Sequence, residues 1–124
     1  MKRLNAISCF ILICANFSCA QPKQDCKNLP EQFTTNNNAR VQIQNAYFNI
    51  SETTDTKKSS WIEGLSYFSC DGQSGFLIMI ARGKSYIHQN VPFNIWREFS
   101  QAKSLGSYYD RNIKHKYSLK LKQP

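Results

Sequence analysis

The residues of this chain best suited to chemistry lie in its last third, where tyrosines and basic residues are interleaved. Three tyrosines and several cations fall within the 14 positions from Ser104 to Tyr117. Aromatic rings and cations together can bind polyanions, because rings stack and cations neutralise negative charge. With the turn and strand before them, these positions supply the candidate binding residues: Lys84, Tyr86, His88, Tyr108, Tyr109, Arg111, Asn112, Lys114 and Lys116.

These residues also have a purely structural explanation, which the sequence leaves open. A tyrosine such as Tyr86 or Tyr117 can fill a thin core with its hydroxyl at the core's edge. A basic chain end can simply be solvated. The two interpretations predict different exposure of the same rings.

An enzymatic alternative uses the two histidines. His88 and His115 could act as the acid and base of a ribonuclease-like phosphodiesterase, with Lys114 or Arg111 stabilising charge. The chain contains no G-x-S-x-G, H-E-x-x-H, Walker or Cys–His signature. Its cysteines and histidines also lack the C-x-x-C and H-x-x-x-H spacings of metal sites. We therefore expect a non-enzymatic protein without metal or cofactor.

The first twenty residues are typical of a secretory signal peptide. A basic start precedes the apolar run 7–15, and small residues follow it. Cleavage after Ala20 would release a soluble protein, whereas lipidation at Cys19 would anchor it to a membrane. We expect an exported protein, periplasmic or extracellular. A membrane association is expected only through that lipid anchor.

Composition supports one small basic domain. The 124 residues carry a formal charge of +8, and loss of Lys2 and Arg3 with the signal peptide leaves 14 − 8 = +6. Six basic residues and one acid lie from Gln101 onward, so the end of the chain holds most of this charge. The expected partners are a polyanion (nucleic acid or an anionic envelope component) or an envelope protein. A further alternative is a structural accessory protein of the envelope, anchored at Cys19 or paired with a partner through a sheet edge.

Two cysteines, Cys26 and Cys70, remain in the expected mature chain. In an oxidising compartment they are expected to form one disulfide, and two free thiols are the alternative.

Hydrophobic patterning predicts an α+β fold. A short helix over 36–45 is favoured over a strand there, and a polar connector follows at 53–58. Gly106 is expected to end the C-terminal helical segment, and residues 108–119 to be extended or irregular. The predicted strands cover 46–51, 60–69, 76–81, 85–89 and 117–121, with a helix starting at Pro92. We expect a small antiparallel sheet of three to four strands with a helix packed on it, plus an N-terminal helix and strand extension.

The ordered series of these features resembles the KTSC domain, a module named for its place at the C-terminus of some lysyl-tRNA synthetases. The elements that carry the resemblance are Ser59-Ser60-Trp61-Ile62, Arg82-Gly83-Lys84, Tyr86, Val91-Pro92, Ala102 to Tyr109, Asn112-Ile113-Lys114 and Tyr117. His88 stands where the family has the second tyrosine of its central Tyr-x-Tyr. The resemblance implies no defined activity, although its synthetase context suggests RNA binding.

The resemblance also divides the chain. We predict a signal peptide at 1–20, an N-terminal extension at 21–58, a KTSC-like domain at 59–119 and a basic tail at 120–124.

Overall fold

The computed structural model describes residues 23–124. The segment between positions 50 and 92, in which apolar residues alternate with polar ones, forms a four-stranded antiparallel sheet. The strands run in sequence order across the sheet: β3 (Ile50–Thr53), β4 (Ile62–Ser69), β5 (Ser74–Ala81) and β6 (Lys84–Pro92). The apolar run 76–81 lies within β5, which pairs with both neighbours as a continuous apolar strand should. The predictions for the signal peptide at 1–20 and for lipidation at Cys19 lie outside the described residues.

Three helices and a second, smaller sheet complete the fold. The helices are α1 (Asn36–Gln44), α2 (Phe93–Gln101) and α3 (Leu105–Asn112). The smaller sheet pairs β1 (Gln24–Asp25) with β2 (Ala46–Tyr47) in parallel, and a 3-10 turn covers Cys26–Asn28. The predicted α+β class, the antiparallel sheet with a packed helix and the N-terminal extension are confirmed. Among residues 23–124, no helix is long and apolar enough to cross a membrane.

Each face of the large sheet buries a separate apolar cluster, because successive side chains on a strand point to opposite faces. One face packs against α2 and α3, where Tyr67 stacks on Trp96 with ring centres 5.3 Å apart. The other face packs against α1, where Ile78 and Ile87 meet Ile43. The sheet is therefore the middle of three layers.

Two tight features of the sheet require particular residues. Arg82 and Gly83 form the two-residue turn between β5 and β6, and both have positive φ, as turns that match the strand twist require. Gly75 lies where a side chain could not fit, because a Cβ there would overlap the Phe68 carbonyl oxygen. Gly64 on the neighbouring strand has room, with the nearest atom of Ile80 at 3.5 Å from the same hypothetical Cβ.

The predicted disulfide is present between Cys26 and Cys70. It joins the N-terminal 3-10 turn to the end of β4. The predicted helix over 36–45 is also present as α1, where the Thr35 side chain accepts from the Asn38 N–H and caps the first turn.

Three local predictions were wrong. Gly106 does not end a helix but is the second residue of α3, and residues 108–112 are helical rather than extended. Ser104 caps this helix by accepting from the Ser107 N–H at 3.2 Å, while Leu105 and Tyr109 form its buried stripe.

The third wrong prediction was the single strand over 46–51, which is divided between β2 and β3. At the C-terminus, the predicted strand over 117–121 makes only isolated bridges, from Ser118 to His88 and from Leu121 to Phe33.

Candidate ligand cleft

Several candidate residues form a buried polar cluster rather than a surface. His88 and Tyr109 are both buried, and the His88 Nε2 lies 3.1 Å from the Tyr109 hydroxyl. The other ring nitrogen of His88, Nδ1, lies 3.3 Å from the Tyr117 carbonyl oxygen. Since a carbonyl can only accept, Nδ1 carries the proton and Nε2 accepts from the tyrosine.

This cluster holds the C-terminal segment against the edge strand β6. Burial lowers the pKa of His88, and the bond to the Tyr117 carbonyl opposes that shift only in part. Burial likewise raises the pKa of Tyr109. The imidazole is therefore held neutral and the phenol protonated, which suits a structural junction between β6, α3 and the C-terminal segment.

Tyr108 also serves the packing of the fold. Its ring stacks on Phe99 with centres 5.5 Å apart, and its hydroxyl donates to Glu98 Oε1 at 2.8 Å. Burial and this bond raise the pKa of Tyr108. The Asn112 amide donates to the Tyr108 carbonyl oxygen within α3. Neither side chain lines the cleft described next.

A cleft of about 400 Å³ lies between the β5–β6 turn and α3. Volumes of this size are typical of small-ligand sites. Its lining combines aromatic rings, two cations and one carboxylate over an apolar floor: Trp61, Met79, Ala81, Arg82, Tyr86, Tyr109, Asp110 and Lys114. We call this the tryptophan cleft.

Local structure explains why these side chains converge. Tyr86 pairs with Met79 across β5 and β6, which places both on the sheet face that α3 covers. Arg82 projects from the turn at the end of the same hairpin. Asp110 lies in the last turn of α3, and Lys114 lies two residues beyond the end of that helix. Tyr86 keeps 41 % of its surface exposed and so remains available to a ligand.

Trp61 forms one wall of the tryptophan cleft and is held by close packing. A Cβ placed on Gly106 would lie 2.6 Å from the indole Nε1, so only glycine lets α3 approach the ring this closely. Tyr109 meets the same ring edge-on, with centres 6.1 Å apart. The Arg82 guanidinium lies over the indole at 5.8 Å, within the range of cation–π attraction.

The structure brings together only some of the predicted site residues. Tyr86, Tyr109 and Lys114 line the tryptophan cleft. Lys84, Arg111, Lys116 and His115 are exposed but do not line it.

Sequence reasoning missed Trp61, Arg82 and Asp110 as cleft residues. A signal for Arg82 existed, since it occupies the tight turn that precedes Tyr86. Trp61 reaches the cleft through its contact with Gly106, and sequence spacing gives no sign of that contact.

One group of metal-ligand types occurs among residues 23–124: Asp25, Cys26 and Cys70. The two sulfur atoms are bonded to each other in the disulfide. Because metals bind cysteine as thiolate, this group does not fit a metal ion in the oxidised protein.

The fold and cleft define a small α+β module with an aromatic, cationic site. The family model of the KTSC domain matches residues 75–117, so the chain contains a KTSC domain. The match spans β5, β6, α2 and α3, and includes Arg82, Tyr86 and Lys114 but not Trp61. Neither the search of the curated proteins nor that of the solved structures found a match.

Proposed function

We propose that this protein is an exported, non-enzymatic binding module that holds a polyanion at the tryptophan cleft. The observation that carries the proposal is the convergence of Arg82 and Lys114 with Trp61 and Tyr86 on one cleft. The ligand class is nucleic acid or an anionic envelope component. The cations attract its charged groups, and the rings contact its flat or apolar parts.

The electrostatics of the whole chain favour such a ligand. The full chain has a formal charge of +8 and a sequence pI of about 9.4, and the exported chain without Lys2 and Arg3 keeps 14 − 8 = +6. A basic surface raises the rate at which polyanions meet it, and this attraction weakens as salt screens the charges. Binding at the cleft should therefore be strong at low salt and fall steadily as salt is added.

The proposed absence of catalysis has support in the state of His88. Both of its ring nitrogens are engaged inside the fold, by Tyr109 and Tyr117. A general acid or base must instead reach a substrate proton. Substitution of His88 or His115 should therefore leave RNA cleavage at background level.

A salt titration with matched variants tests the binding proposal. Affinity for a fluorescent twelve-nucleotide single strand, with heparin as competitor, is measured from 50 to 300 mM NaCl. Arg82→Ala and Lys114→Ala should each reduce the slope of log K against log salt by about 0.7, the value for one lost phosphate contact. Arg40→Ala on α1, at the other face of the sheet, is the matched control and should change neither affinity nor slope.

Binding that ignores ionic strength would refute the electrostatic proposal. Equal effects of Arg82→Ala and Arg40→Ala would refute the location of the site. The two outcomes can be distinguished because Arg82 lines the tryptophan cleft, whereas Arg40 lies on α1 at the opposite face of the sheet.

The export proposal rests on the leader-like composition of residues 1–20. Intact mass of the protein made in cells with a secretion pathway tests it. A chain beginning at Gln21 or a lipid-modified Cys19 would support export. A protein that retains its first twenty residues in the cytosol would contradict it.

A further inference from the structure

A second cleft of about 360 Å³ adjoins the tryptophan cleft, and both are lined by Trp61 and Asp110. Two lysines, Lys58 and Lys103, and several serines line the second cleft, which we call the lysine cleft. The Lys58 ammonium donates to the Ala102 carbonyl oxygen, which fixes this lysine beside the loop between α2 and α3. An ammonium has three donors, so Lys58 keeps two for a ligand.

The two clefts together present a definite order of chemistry. Each cleft holds one pair of cations, Arg82 with Lys114 in the tryptophan cleft and Lys58 with Lys103 in the lysine cleft, and the two clefts share Trp61 and the Asp110 carboxylate. Single-stranded nucleic acid has the complementary order, with charged phosphates on both sides of a flat base. A duplex hides the faces of its bases, and sulfated sugars and lipid headgroups have no flat aromatic group to stack.

We propose that the two clefts form one groove for single-stranded nucleic acid, in which one base stacks on Trp61 and donates hydrogen bonds to Asp110. This inference rests on the proposed polyanion function and names its ligand. The phosphates on either side of that base contact Lys58 and Lys103 in one direction, and Arg82 and Lys114 in the other.

In the proposed groove, Arg82 occupies the face of the Trp61 ring when no base is bound. In the structure its guanidinium covers the indole at 5.8 Å. The side chain is exposed and can turn aside, so an incoming base replaces it on the ring. The displaced guanidinium then remains close enough to bind the adjoining phosphate, and the cation is not lost from the site.

Asp110 gives the groove a base preference. A carboxylate only accepts hydrogen bonds and repels phosphate, so it suits the base and not the backbone. The Watson–Crick edge of guanine presents two neighbouring N–H donors, which match the two oxygens of one carboxylate. Thymine presents one N–H donor between two carbonyl oxygens. We therefore expect guanine to be favoured at the Trp61 position.

Three pentanucleotides of equal charge test the inference. They are dT5, the same strand with a central guanine, and a strand of five abasic sites. Affinity is measured by anisotropy at 50 mM NaCl, together with quenching of Trp61 fluorescence. The second tryptophan, Trp96, is 1 % exposed, so quenching by a stacked base reports Trp61.

For the unmodified protein, dT5 should bind about tenfold more tightly than the abasic strand, the effect of stacking one base. The central guanine should add about another tenfold, in the range of a good bidentate base contact. Asp110→Asn should abolish the guanine preference and leave dT5 binding intact or stronger, because a repulsive charge is removed.

Trp61→Leu should make dT5 and the abasic strand bind alike, whereas Trp61→Phe should retain part of the difference. Lys58→Ala and Lys103→Ala should weaken all three strands by a similar factor. If Trp61→Leu does not fold, the abasic comparison on the unmodified protein still decides the question.

Equal binding of dT5 and the abasic strand would overturn the inference and leave the polyanion function standing. Failure to bind any of the strands or heparin would overturn the proposed function as well. A guanine preference that survives Asp110→Asn would overturn the role given to that carboxylate.

Discussion

The contact between Gly106 and Trp61 makes a prediction whose sign can be tested. Replacing Gly106 by alanine would place a Cβ 2.6 Å from the indole Nε1 and 3.1 Å from two further ring carbons. The ring would have to retreat by nearly an ångström to reach ordinary contact. Tyr109 packs against the same ring, so the indole cannot move freely.

Two effects of known size oppose each other at this position. Alanine is favoured over glycine in a helix by up to about 1 kcal/mol. Overpacking of a fixed neighbour typically costs about 1–3 kcal/mol. We expect the steric cost to prevail, so that Gly106→Ala lowers the free energy of unfolding by about 1 kcal/mol and Tm by about 4–8 °C.

A double-mutant cycle isolates the contact. In a Trp61→Ala background the clash is gone, and Gly106→Ala should then stabilise the protein by up to about 1 kcal/mol. Urea denaturation followed by far-ultraviolet circular dichroism measures all four proteins, because this signal does not depend on Trp61. A stabilising effect of Gly106→Ala in the unmodified protein would refute the placement of Trp61 against α3.

Three further predictions concern stability. Gly75→Ala should lower the free energy of unfolding by about 3 kcal/mol or more, because the new Cβ would overlap the backbone of Phe68, while Gly64→Ala should change it by less than about 1 kcal/mol. The urea midpoints of the two variants measure this difference, and equal midpoints would contradict the close contact at Gly75. The free energy of unfolding should fall as pH drops below about 6.5 towards 5, because His88 binds a proton more readily in the unfolded chain than in the fold, where burial lowers its pKa. His88→Gln should flatten this dependence of stability on pH, and an unchanged dependence would refute its assignment to His88. Reduction of the Cys26–Cys70 disulfide should cost up to about 4 kcal/mol, seen as a lower Tm in dithiothreitol; an unchanged Tm would show that the bond does not constrain the unfolded chain.

Local pattern predicted the sheet well, because its signals lie within the strands themselves. The apolar run of β5 and the glycine turn before β6 identify the hairpin without knowledge of the rest of the chain. Pro92 likewise marks the start of α2 to within one residue. Such features depend on neighbours in sequence, which a single sequence displays.

The candidate site was only partly predictable, because burial is decided by contacts distant in sequence. His88 and Tyr109 are residue types common in binding surfaces, yet both are buried, and a hydrogen bond joins their side chains across 21 positions of sequence. Gly106 resembles a helix stop, yet it serves to admit an indole ring from residue 61. The basic residues from Gln101 onward are exposed, but only Lys114 among them lines the tryptophan cleft.

The two indole N–H signals of the protein provide the most direct test of ligand binding at the tryptophan cleft. Trp61 lines that cleft, whereas Trp96 is buried and donates to Glu52 at 2.8 Å. On titration of ¹⁵N-labelled protein with the guanine-containing pentanucleotide, we predict a saturable shift of the Trp61 signal and little change in that of Trp96. Saturable binding that leaves the Trp61 signal unmoved, with shifts concentrated on α1 instead, would contradict the account.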